Sequence, residues 1–88
     1  MARMDHAFVD AATISQGAAA DVLFELGLMY SLGREVEADL VEAHKWFNLA
    51  AIRGHEKARH YRQEIAAEMT RDQLQEALRR ARAWMGLN

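Results

Sequence analysis

The spacing of small and aromatic residues between Leu26 and Ala58 restricts this 88-residue chain more than any other feature. Leu26 and Tyr30 stand four residues apart, one helical turn along the same face, and Gly27 beside them has no side chain to hold a neighbour away. Ala43, Trp46, Phe47 and Ala50 recur at three- and four-residue intervals, small beside large, the pattern through which two helices interdigitate. Between these runs Gly33 is placed to end the first helix, and Asp39 with Glu42 forms a capping-box-like start for the second. Gly54 then closes the second helix, so the expected unit is a helical hairpin packed along one seam.

The ordered set Leu26, Gly27, Tyr30, Gly33, Val36, Asp39, Ala43, Trp46, Phe47, Ala50, Ala51, Gly54 and Ala58 resembles one Sel1-like repeat, a tetratricopeptide-like helical hairpin. The resemblance runs from Val22 to Ala58 and departs from the pattern in two places. Val22 stands where a small residue is usual, and Glu35 stands where the loop usually has its second glycine. Glutamate accepts positive backbone angles less readily than glycine, so the loop is expected to bend differently. The resemblance implies an all-α fold, a short αα-hairpin solenoid made of one Sel1-like repeat plus a two-helix C-terminal cap. It also implies a surface for other macromolecules, without naming them.

From Ala58 a second copy of the pattern begins and then changes character. Ala58, Tyr61, Ile65 and Met69 form an apolar stripe, but Arg62 and Gln63 occupy the positions that Leu26 and Gly27 hold in the first copy. Thr70 with Gln73 predicts a capping box for a last helix in which Leu74, Ala77, Leu78, Ala81, Trp84 and Met85 share one face. Asp72, Glu76, Arg79 and Arg82 lie opposite, the polar outer face that a terminal cap of a solenoid needs. The expected layout is a flexible or folded-back segment over 1–17, the repeat hairpin over 18–58, and the degenerate repeat with its cap over 59–88. Helices are expected near 18–32, 39–53, 56–69 and 71–85.

Composition and motifs narrow the classes of function. The absence of cysteine excludes disulfides and thiolate chemistry and fits a reducing compartment, so a cytoplasmic location is expected. The opening residues soon meet acidic side chains and do not read as a signal peptide, and no stretch reaches membrane-spanning length. His6, His44, His55 and His60 show no close metal-ligand pairing, and no nucleophile motif or phosphate-binding loop appears, so neither enzyme activity, a metal nor a cofactor is expected. Residues 1–52 carry eight acidic side chains against three basic, and residues 53–88 carry eight basic against five acidic. Arg53, Lys57, Arg59, Arg62, Arg71, Arg79, Arg80 and Arg82 would suit an RNA-associated factor, but Glu56, Glu64, Glu68, Asp72 and Glu76 interleave with them as in self-paired helix surfaces.

The first helix is apolar on two sides. Val22, Leu23, Leu26, Met29 and Tyr30 fall on one, and Phe24, Leu28 and Leu32 on the other, with Asp21, Glu25 and Ser31 among them. Two following helices are expected to cover only the first side. Phe24 and Leu28 are therefore expected to anchor a partner in a concave groove that continues over Lys57, His60, Glu64 and Glu68 of the third helix. Three covers suit that side: the N-terminal segment folding back through Phe8, Val9, Ala12 and Ile14, a second copy of the chain, or a helix or peptide of another protein. The expected function is a non-catalytic adaptor or accessory subunit, with a homo-oligomeric scaffold, or an RNA-associated accessory factor using the basic C-terminal half, as the alternatives. The stripe Val41, Lys45, Asn48 and Ile52 on the back of the second helix reads as ordinary surface.

Overall fold

The computed structural model describes residues 11–87, with side chains from Ala19 onward. Four α-helices follow one another: α1 (Ala11–Leu32), α2 (Leu40–Ile52), α3 (Glu56–Ala66) and α4 (Arg71–Trp84). They form an all-α bundle with mainly local contacts, in which α2 packs against α1, α3 and α4. This central place explains why Ala43, His44, Phe47, Asn48, Leu49 and Ala50 of α2 are all buried, far more than one stripe of a surface helix.

Among the described residues α1 is already helical at Ala11, well before residue 18, because the alanine-rich run from Ala11 to Ala20 contains no proline and favours continued helix. Ala12 and Ile14 therefore extend α1 and do not turn back across Phe24. Phe8 and Val9, the other half of the expected fold-back, lie outside the described residues. At its other end α1 stops at a Schellman turn: Gly33 takes φ 71° and the Arg34 N–H donates to the Met29 carbonyl at 3.0 Å. The loop then returns, with the Asp39 N–H donating to the Tyr30 carbonyl at 3.0 Å. Glu35 adopts φ 64° on the way, so the side chain is carried in the left-handed region that a glycine occupies without strain.

The capping residues act as their types suggest, with one difference. Asp39 Oδ1 accepts from the Glu42 N–H at 3.1 Å, but the Glu42 side chain does not complete the box. Thr70 and Gln73 make both bonds of a full capping box, at 2.9 and 3.1 Å. Helix α3 is capped by His55, whose Nδ1 accepts from the Ala58 N–H at 3.1 Å. It ends at Ala66, earlier than expected, and leaves Glu68 in the following turn with its N–H on the Ile65 carbonyl at 2.9 Å.

The core is built on rings. Phe47 is fully buried, and its ring lies so close to Gly27 that a Cβ there would overlap it. Tyr61 meets Phe47 at 5.4 Å and Phe24 edge-on at 5.3 Å, while Phe24 lies 5.6 Å from Phe47. Ala43, Ala50, Ala58, Ala77 and Ala81, all buried, supply the flat surfaces between helices. Leu23, Leu49 and Ile65 add the aliphatic part of the cluster.

Candidate interaction surfaces

The position of α3 overturns the expected groove. Helix α3 and its cap lie over the side of α1 that carries Phe24, so Phe24 is only 9% exposed and its ring stacks on His55 at 4.2 Å. Phe24 is a core residue and no anchor for a partner. Leu28, one turn on, is half-buried against the same core. The expectation failed because it let the later helices cover one side of α1, whereas α2 and α3 together cover two.

The other expected contact residues do not converge on one site. Asp21 reaches His55 Nε2 at 3.5 Å, and Glu25 lies 4.0 Å from Arg34. The Ser31 hydroxyl donates to the Leu28 carbonyl at 3.2 Å and is thereby turned onto its own helix. Lys57 and Glu68 are exposed, and His60 pairs with Glu64 at 3.1 Å on the outer surface of α3. Of the expected apolar contacts, Leu32 alone is exposed, at 64%.

What α1 turns outward is a different stripe. Val22, expected inside, is 57% exposed. At about 100° per residue it shares one face with exposed Glu25, half-buried Met29 and exposed Leu32. Ile52, Trp84 and Leu87 are the other large apolar side chains left exposed among the described residues. Trp84 is steadied by Trp46, edge-on at 5.8 Å, and by the Arg53 guanidinium 5.5 Å from its ring.

Two polar centres escaped the sequence reading. The first is Glu42, whose carboxylate receives Trp46 Nε1 at 3.1 Å, Lys45 at 3.0 Å and Arg80 at 2.7 Å. Burial alone would raise its pKa, but the bonds from Lys45 and Arg80 outweigh that and hold it below the usual value. Arg80 also binds Glu76 at 2.7 Å, and with Arg79 on the same carboxylate the Glu76 pKa is lowered to about 2. These bonds tie the α2 start to α4.

The second centre is a cleft of about 280 Å³ between α2, α3 and α4, lined by His44, Asn48, Arg62, Gln63, Ala66, Leu74 and Leu78. Arg62 Nη1 donates to Asn48 Oδ1 at 2.8 Å across the floor. His44 is 3% exposed and its Nδ1 has no hydrogen-bond partner. Burial first, then the neighbouring Arg62 charge, hold the His44 pKa below its ordinary value, so the ring is neutral. Asn48 thus leaves the ordinary surface stripe to which its spacing had assigned it. One signal was available: His44 and Asn48 flank Ala43 and Phe47 on the seam, a place where polar side chains are unusual.

Among the described residues no group of three or more His, Asp or Glu side chains is placed to hold a metal ion, and no helix is long and apolar enough to cross a membrane. No protein-family model matches the chain, and no curated protein or solved structure gives a significant match.

Proposed function

We propose that the protein is a non-catalytic protein-binding module of the helical-hairpin repeat type, an adaptor or accessory subunit that docks its partner along the outer face of α1. The observation that carries this reading is the exposure of Val22 and Leu32 on one stripe of a helix whose opposite side is consumed by the core. Each such side chain forgoes about 1.5–3 kcal/mol while it stays wet, which a partner helix laid along the stripe would recover. Glu25 between them offers a charge to orient that helix. The pairing of Arg59 with Glu56, and of Arg79 and Arg80 with Glu76, favours this reading over nucleic-acid binding, because those guanidinium groups are already matched by carboxylates.

Photo-crosslinking tests the surface directly. A benzophenone amino acid placed at Val22 or Leu32 is expected to capture the same partner in the native cell, and one at exposed Gln75 on α4 is expected to capture nothing. Capture of a second copy of the chain from both positions would replace the adaptor with a homo-oligomeric scaffold. No capture from either α1 position would refute the reading.

A further inference from the structure

The cleft between α2, α3 and α4 lies apart from the outer face of α1 and has a chemistry of its own. Among the described residues two arginines, Arg62 and Arg80, are half-buried, and they differ in their partners. Arg80 meets the carboxylates of Glu42 and Glu76, whereas Arg62 has no carboxylate partner among the described residues and gives one N–H to the neutral amide oxygen of Asn48. Beside it stands His44, more than nine-tenths buried, with Nδ1 unpartnered. A half-buried cation is costly to leave without a matching anion. The rest of the lining includes the aliphatic side chains of Ala66 on α3 and of Leu74 and Leu78 on α4.

We infer that this cleft binds an aliphatic carboxylate, with the carboxylate against Arg62 and His44 and the hydrocarbon chain against Leu74 and Leu78. The guanidinium supplies charge-assisted donors to the carboxylate oxygens, and the buried His44 ring, its Nδ1 closed to solvent, forms the wall beside them. A volume of about 280 Å³, open to solvent on one side, accommodates a chain of several carbons. Two sources present that chemistry: a free short-chain fatty acid, and the carboxyl end of a peptide that finishes in a branched apolar residue.

Amide-resolved NMR titration of the whole chain separates these outcomes. Hexanoate is expected to shift the amides of His44, Asn48, Arg62, Leu74 and Leu78 saturably, with a Kd of about 1–10 mM for so small a ligand. Hexanol, which lacks the charge, is expected to bind about tenfold more weakly. N-acetylleucine binding more tightly than hexanoate assigns the site to a peptide end, and the reverse order assigns it to a free acid; both support the carboxylate site. R62Q is expected to lose about tenfold in hexanoate affinity, and L78Q, in the aliphatic lining, to weaken hexanoate and hexanol alike. Absence of saturable shifts around the cleft at tens of millimolar, or equal binding of hexanoate and hexanol, would overturn the inference without recourse to any variant.

Discussion

Gly27 and Phe47 form the most demanding contact of the fold, because the ring occupies the space that any Cβ at position 27 would need. Alanine normally improves a helix interior by about 0.5–1 kcal/mol over glycine. Here it must push a fully buried ring, and overpacking of that kind costs about 1–3 kcal/mol. G27A is therefore expected to destabilise the protein by about 1–2 kcal/mol net in urea unfolding, and a stabilised G27A would contradict the packing described. His44 makes a second prediction at this scale. Its folded pKa lies below the ordinary 6.5, so its neutral form is the one the fold favours. The unfolded chain takes up the proton first as pH falls, so the stability His44 supplies is complete above about pH 6.5 and declines as pH drops toward the lower folded value. H44L is expected to flatten that decline between pH 7 and 5 relative to the parent; equal slopes in both proteins would refute it.

At the scale of the element, the loops and caps carry the residues whose roles were least visible. Glu35 holds a left-handed backbone at φ 64° with its side chain in solvent. E35G removes that strain, offset by the greater freedom of glycine in the unfolded chain, for an expected gain of about 0.5–1 kcal/mol and a rise in Tm of about 2–6 °C. His55 serves α3 twice, as N-cap through Nδ1 and as the ring stacked on Phe24. H55A is expected to cost about 1.5–2.5 kcal/mol, the loss of a cap plus an aromatic contact, and H55N, which can still cap, is expected to fall between H55A and the parent in thermal melts. The ends of the helices near Gly33, Asp39 and Thr70 were legible because capping is a local matter of side-chain type and offset. His55 was not, since histidine is an uncommon cap and its stacking on Phe24 depends on where α3 lands. Glu42 was half legible: its position suggested a capping box, but the box was forgone for Trp46, Lys45 and Arg80, which only the tertiary arrangement brings within reach.

For the molecule as a whole, helix type and the hairpin seam followed from spacing, but which face of α1 meets water did not. Periodicity marks two apolar sides of α1 equally well; the crossing of α3 over Phe24 decides between them, and no local rule sets that crossing. The consequence is a division of labour on one helix. Phe24 belongs to the core, and F24A is expected to cost about 3–5 kcal/mol, enough to unfold a domain of this size in thermal melts. Val22 and Leu32 face outward and contribute little to the fold, so V22D/L32D is expected to change stability by less than about 1 kcal/mol.

Affinity purification of the parent and of V22D/L32D from the native cell, with quantitative mass spectrometry of what accompanies each, tests the docking face of α1 most directly. The proteins that accompany the parent are expected to fall at least tenfold in the folded double variant. Recovery of the same proteins in the same amounts would show that the outer face of α1 is not where this protein binds.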